Sequence, residues 1–336
     1  MKRILSFAVT RGCGWAKAAL LLVLCLAGNV LCSQNLVLRV QASKGIKEVP
    51  MLTVYYSVDS IIEMRPSSRD NSMFRYSLLV QRPVYAEISH PDMSGPLGLF
   101  LESGVMTVTL NVDNPQSSLV VGSLTNTEYR YALETCNETA DPLQVQLCLE
   151  NKVRMNAHKA WAPLLMYKHL LMSPLALQQV LYKMLGEDAT SAYHYGLLGR
   201  RIRNKEMTTE GCRMPNFGYH DTLDTALDFF SLIQGNVYHV LCFGATWCQQ
   251  CRQVASEADE IAQPYQDRKH PILVHSIDID REEAVWDSPL ATSLAIEYLP
   301  SIFVVDSVGV IVCRDVRVWE LNHVFDSLFV ANPDSR

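Results

Sequence analysis

The hydrophobic pattern of this chain changes its period twice, and no single fold accommodates all three regimes. From residue 34 to about 125, apolar and polar residues alternate in short runs such as "NLVLRVQA", "LTVYYSV", "FRYSLLV" and "GVMTVTLNV". Turn-rich pieces such as "RPSSRDNS" and "HPDMSGP" separate them. A period of two with Pro, Gly, Asp and Ser as punctuation predicts a small antiparallel β-sandwich domain. From 126 to 211 the apolar residues recur every three or four positions, in "AWAPLLMYKHLLM", "PLALQQVLYKML" and "AYHYGLLGRRIRNK", which predicts a helical linker region. Ser173 followed by Pro174 is a helix start signal, an N-cap with proline at the first helical position. Trp161, Tyr167 and Tyr182 are expected to pack between these helices.

After residue 212 strands and helices alternate. "YHVLCFGA" reads as a strand, Cys248 to about Gln263 as a helix and "PILVHSIDID" as a strand. A short helix around "PLATSLAIEY", two strands "SIFVVDS" and "GVIVCRD", and a final helix "WELNHVFDSLFV" follow. This order predicts an α/β domain with a mixed sheet over 212–336. With 336 residues, 49% of them hydrophobic, the chain is long enough for two or three cores.

The first 33 residues stand apart. Lys2, Arg3, Arg11 and Lys17 precede the apolar run "AALLLVLCLA" with no acidic residue, the pattern of a signal peptide cleaved near Cys32 or Ser33. The run from Ala18 to Val30 is shorter than the roughly 18 to 20 residues that span a bilayer. Retention as an anchor, and with it peripheral membrane association, is the alternative. A lipidated cysteine would need a small residue before it, whereas Leu24 precedes Cys25 and Leu31 precedes Cys32. Without the leader the chain has 25 basic and 35 acidic side chains, a net charge of about −10, which argues against a nucleic-acid partner. Of ten cysteines, Cys13, Cys25 and Cys32 lie in the leader; seven remain in a compartment that permits disulfides, so at least one stays unpaired.

Cys248 and Cys251, in "FGATWCQQC", fall at the end of a buried strand and in the first turn of a helix. Unpaired backbone N–H groups and the helix dipole favour an anion there, so a thiolate on Cys248 is stabilised and made reactive. Cys251 lies on the same side of the helix, placed to attack a mixed disulfide formed by Cys248. A metal site would need further ligands, and His239, His270 and His275 are scattered along the sequence; haem attachment would need histidine where Arg252 stands.

The segment "MPNFGYHDTLDTALDFFSLIQGNVYHVLCFGATWCQQC", followed by "LPSIFVVDSVGVIV", resembles the thioredoxin-like domain of TlpA-like and ResA-like thiol-disulfide oxidoreductases over 212–333. That resemblance implies that Cys248 is the nucleophile, Cys251 the resolving thiol, and Pro300 a cis-proline beside them. Trp247, Leu299 and Pro300 would then line the substrate site, the backbone of Leu299 pairing with an extended polypeptide. The region 34–122 is similar to β domains found before thioredoxin domains in exported proteins of Gram-negative bacteria. Periplasm or cell envelope, disulfide-bearing envelope proteins as partners, an upstream thiol donor, and no cofactor or metal are what the resemblance implies.

The sequence departs from the family pattern. Gln249 and Gln250 stand where many relatives have proline before the second cysteine, which leaves the direction of electron flow open; the expected activity is that of a reductase or isomerase of envelope proteins rather than a strong oxidase. Val254 stands where a glutamate is common, and Cys242 where thioredoxins carry an acid; Glu257 and Asp259 lie on other parts of the helix. The expected consequence is slower exchange. Cys242 and Cys313, inside apolar strands, are expected to be inert; Cys136 and Cys148 either close a short loop as a disulfide or stay reduced, with Cys212 left over. A binding or scaffold protein with a weakly active thioredoxin-like domain, and a metal carrier, remain the alternatives.

Overall fold

In a computed structural model of the chain, the described residues are 35–138, 140–220, 226–233, 237–267, 271–280 and 288–331. The leader, with Cys13, Cys25 and Cys32, and His270 lie outside them. The chain divides into two compact units between Glu134 and Thr135.

The described residues of the first unit form nine strands: β1 (Leu36–Ala42), β2 (Met51–Ser57), β3 (Ser60–Met64), β4 (Ser68–Asp70), β5 (Met73–Leu78), β6 (Val84–Ser89), β7 (Leu97–Leu101), β8 (Gly104–Leu110) and β9 (Leu119–Val121). They form one sheet in the order β4-β5-β1-β8-β9 and a second in the order β3-β2-β6-β7. Leu36, Leu38 and Val40 of β1 are fully buried while Arg39 faces out, and Leu52, Val54, Ala86, Ile88, Leu99 and Leu101 of the second sheet meet them in one apolar cluster. Alternate residues thus supply the inner faces of a sandwich. Each buried leucine contributes about 1.5 to 3 kcal/mol through lost contact with water. The pairing is antiparallel except between β1 and β8, which run parallel with Leu36 opposite Gly104. A period of two says which face a residue occupies and nothing about strand direction, so this pair was invisible in the pattern.

Helix α1 (Leu124–Cys136) leaves this sandwich with its first turn fixed to it. The Glu102 carboxylate accepts the N–H of Thr125, and Asn126 Oδ1 accepts the N–H of Phe100, at 3.3 and 2.9 Å. A carboxylate at a helix N-terminus is favoured by the dipole.

The second unit begins with α2 (Pro142–Met155), α3 (Ala162–His169), α4 (Leu175–Met184) and α5 (Tyr193–Met207). Asp141 caps α2 by accepting the N–H of Leu143, with Pro142 in the first turn. Pro174 occupies the N-cap of α4 rather than its first turn, and Ser173 makes no capping bond. Its carbonyl instead accepts from the buried Gln178 amide, 2.8 Å away, a tertiary bond that wins over the local one. Trp161 is buried, Tyr182 stacks on Tyr195 and Tyr167 packs on His194, as helix-packing residues should.

A hairpin β10 (Gly218–His220) and β11 (Ala226–Asp228) and the single turn α6 (Phe229–Leu232) lead into the last domain. Its elements are β12 (Tyr238–Gly244), α7 (Gln249–Ala262), β13 (Ile272–Asp278), α8 (Pro289–Ser293), β14 (Ser301–Val305), β15 (Ile311–Arg314) and α9 (Leu321–Ala331). The sheet order is β13-β12-β14-β15, with β12 and β13 parallel and the other pairs antiparallel. Ala255, Ala258 and Ala262 of α7 and Leu321, Phe325 and Phe329 of α9 cover one sheet face, over Val240 and Cys242. Phe217, Phe229, Ala291 and Leu294 cover the other, over Leu241 and Phe243. Coverage on both faces is why β12 reads as an unbroken apolar run. Among the described residues no helix is long and apolar enough to cross a membrane.

Candidate redox site

Strand β12 ends at Gly244, and four residues later the chain enters α7 with Cys248 as the N-cap. Cys248 Sγ is bonded to Cys251 Sγ and also accepts the N–H of Cys251 at 3.1 Å. The sulfur therefore does for this helix what a serine or aspartate oxygen usually does, binding an N–H that would otherwise be orphaned. On reduction the same N–H and the dipole of a 14-residue helix face the Cys248 sulfur and favour its thiolate.

Both cysteines are nearly covered, 8% and 6% exposed, whereas Trp247 beside them is 66% exposed. Gly244 makes the close approach possible. A Cβ there would sit 2.8 Å from Cys251 Cβ, so any larger residue would push the resolving cysteine away. The same point lies 3.6 Å from Cys251 Sγ and 3.8 Å from Asp278 Oδ1, which places an acidic side chain on the Cys251 side of the strand end. The loop itself is pinned by Asp280, whose carboxylate accepts the N–H and the hydroxyl of Thr246 at 2.9 and 2.8 Å. Arg252 Nη1 donates to the Thr246 carbonyl at 2.8 Å.

The β12–β14 register brings Pro300 to the same place. Phe243 lies opposite Ser301, so Pro300 stands level with Gly244 and the cysteines, and the Leu299–Pro300 peptide is cis. Leu299 packs against the apolar cluster that contains Cys248 and Cys251. The fold thus gathers Trp247, Cys248, Cys251, Leu299 and Pro300, far apart in sequence, at one end of the sheet. Asp278 and Asp280 were missed; two acidic residues at the end of an apolar strand are the only trace they leave in the sequence.

Val254 packs in the same apolar cluster as Cys242, so neither position offers a proton acceptor. Burial pushes the Cys242 thiol up to about 12 and, helped by the charge of Glu210, the partly exposed Cys313 thiol to about 12. Both are neutral thiols at ordinary pH. Cys136 and Cys148 are bridged, and Cys212 is free, its sulfur 3.5 Å from the Glu206 carbonyl.

Two histidines that look scattered in the sequence are in contact. The β12–β13 register sets His239 Nδ1 3.1 Å from His275 Nε2. Desolvation, then the neighbouring His275, lowers His239 to about 4. Among the described residues no three His, Cys, Asp or Glu side chains come together as a metal site would require.

Residues 222–313 match the thioredoxin family. No curated protein matches the chain significantly. Among solved structures, the thioredoxin domain of a thiol-disulfide oxidoreductase from Bacteroides vulgatus is 18% identical, covering 36% of this chain and 97% of its own, with a TM-score of 0.31. A thiol-disulfide oxidoreductase from Bacteroides fragilis is 23% identical, covering 34% of this chain and 98% of its own, with a TM-score of 0.30. A thioredoxin-like protein from Bacteroides caccae is 13% identical, covering 60% and 83%, with a TM-score of 0.39. With the family match over its middle, the strand order, and the cysteine pair at the start of α7, the C-terminal domain has a thioredoxin-like fold.

Proposed function

We propose that the protein is an exported thiol-disulfide oxidoreductase that exchanges the Cys248/Cys251 dithiol with disulfides of envelope proteins, as a reductase or isomerase supplied by an upstream thiol donor. The observation that carries this reading is Cys248 as the N-cap of α7, its sulfur on the Cys251 N–H, level with the cis Leu299–Pro300 peptide.

In the reduced protein the Cys248 thiolate attacks one sulfur of a substrate disulfide, and the other substrate sulfur leaves as a thiolate. The mixed disulfide is held along Leu299 in extended form. Cys251 then gives up its proton and attacks Cys248 Sγ. The Cys248–Cys251 bond forms, the mixed disulfide breaks, and the substrate leaves carrying two thiols. No cofactor enters these steps.

Equilibration in graded glutathione buffers, followed by alkylation and mass analysis of the peptide with Cys248 and Cys251, tests the reading. A reversible two-electron transition near the thioredoxin value of about −270 mV supports a reductase, and one near about −120 mV an oxidase. Absence of any reversible transition overturns the exchange mechanism. Export is tested separately: the mature N-terminus, read by mass, should fall near Cys32 or Ser33.

A further inference from the structure

The segment that delivers Leu299 and Pro300 is gripped by a helix outside the thioredoxin-like sheet. Arg201, Asn204, Lys205 and Thr208 recur at intervals that place them on one face of α5 or its C-cap. That face is polar although it is covered. Lys205 Nζ lies 2.6 Å from Glu297 Oε2 and Arg201 Nε 3.6 Å from Glu297 Oε1, with the Glu297 side chain only 5% exposed. Arg201 Nη2 donates to the Ile296 carbonyl at 2.9 Å and Asn204 Nδ2 to the Thr292 carbonyl at 2.8 Å. Arg314 of β15 completes the grip: its Nη1 donates to Thr208 Oγ1 at 2.6 Å and its Nη2 to the Ala295 carbonyl at 3.2 Å.

These bonds meet a backbone that does not hold its shape by repetition. Ala295 has a φ of +49°, a left-handed conformation costly for a residue with a Cβ, and Asp315 one of +57°. Side chains satisfy the Ala295 and Ile296 carbonyls in place of a helix or sheet ladder, and Asn204 adds a second bond to the Thr292 carbonyl, which already accepts the Ala295 N–H. Beyond the proline Ser301 Oγ donates to Asp315 Oδ1 at 3.1 Å, and before it the Tyr298 hydroxyl donates to the Asp315 carbonyl at 3.3 Å. Leu299 and Pro300 are therefore fixed on both sides.

We propose that α5, through Arg201 and Lys205 on Glu297, positions the Leu299–Pro300 edge and so governs the handling of polypeptide disulfides, while leaving the chemistry of the cysteine pair untouched. This rests on the exchange function proposed above. A polypeptide must align its backbone on Leu299 before its disulfide reaches Cys248; a small disulfide needs only the sulfur. Arg201, Lys205 and Glu297 are positioning residues, since they act through the backbone at 296 to 300.

The test uses the full chain carrying Glu297→Gln, and separately Arg201→Lys, which keeps a positive charge but loses the bond to the Ile296 carbonyl. Turnover is measured with insulin as the polypeptide disulfide and hydroxyethyl disulfide as the small one, alongside the reduction potential of the pair. The expected result is a fall of about tenfold in kcat/KM for insulin, carried by KM, as follows from losing about one such bond. Hydroxyethyl disulfide turnover and the potential stay within twofold and unshifted. Equal losses on both substrates, or none on either, overturn the proposal. Amide hydrogen exchange across 292–303 is measured in parallel and should quicken in both variants. If the wild-type chain turns over neither substrate, the exchange function has failed, and the amide exchange then decides by itself whether α5 positions the edge.

Discussion

The two disulfides of the second unit are the same bond in opposite settings. Cys136 is the last residue of α1 and its partner Cys148 lies within α2, 12 residues on, so the bridge ties two helices across a loop. Cys248 and Cys251 are three residues apart at the first turn of a single helix. Closing the longer loop removes unfolded-chain entropy worth about 3 kcal/mol, the shorter one about 2 kcal/mol. The larger difference is electrostatic. A thiolate on Cys136 would face the negative end of a helix dipole, whereas one on Cys248 faces the positive end and the Cys251 N–H. Reduction is opposed in the first case and accommodated in the second. One bond is mechanical and the other is chemical because of where each sulfur sits on its helix.

The most severe way to break this contrast is Cys248→Ser, which should reduce disulfide exchange to the uncatalysed background while the chain still unfolds cooperatively, losing no more than the roughly 2 kcal/mol of the short loop. The double change Cys136→Ser with Cys148→Ser should do the reverse. Urea unfolding should show a loss of about 2 to 5 kcal/mol, with insulin reduction per folded molecule preserved. If it is exchange that suffers, the division between the two bonds is wrong.

A smaller effect is expected from Gly244→Ala, whose Cβ would sit 2.8 Å from Cys251 Cβ. Overpacking of this kind costs about 1 to 3 kcal/mol, and it should shift the glutathione equilibrium toward the open dithiol. Alkylation against buffer potential reads that shift, and an unmoved midpoint would show that the close approach is unimportant.

Acid sensitivity separates the sheet from the site. His239 is held neutral when folded, at about 4 against 6.5 for the free side chain. The unfolded chain takes up that proton first. The stability it contributes is thus complete above pH about 6.5 and lost as pH falls toward about 4. His239→Leu should flatten that part of the stability profile without altering exchange. The smallest effect is expected from Val254→Glu, which introduces a carboxylate at the apolar cluster that contains Cys242. A modest acceleration of the step in which Cys251 resolves the mixed disulfide, seen in single-turnover trapping, would support slow proton removal as a limit on exchange; an unchanged rate would remove that idea.

Much of this was legible because it is local. The change from alternation to a helical period and then to alternating strands and helices follows from which faces are covered, and covering is written into residue order. The cysteine pair and its helix start are also contiguous. Pro300 was legible only by resemblance, since nothing within ten residues of it announces a cis peptide. The pairing of Ser173 was misread because Gln178 reaches its carbonyl from inside the fold.

By itself, then, the sequence determined the order of the elements, the buried strand that ends at Gly244, and the sulfur at the start of α7, all set by neighbours a few residues apart. Tertiary structure alone decided the parallel pairing of β1 with β8, the contact of His239 with His275, the Asp280 clasp on Thr246 and the grip of Arg201 and Lys205 on Glu297. The physical reason is distance along the chain. These registers and buried polar contacts join residues from 34 to almost a hundred positions apart, and hydrophobic periodicity encodes which side is covered but not by what.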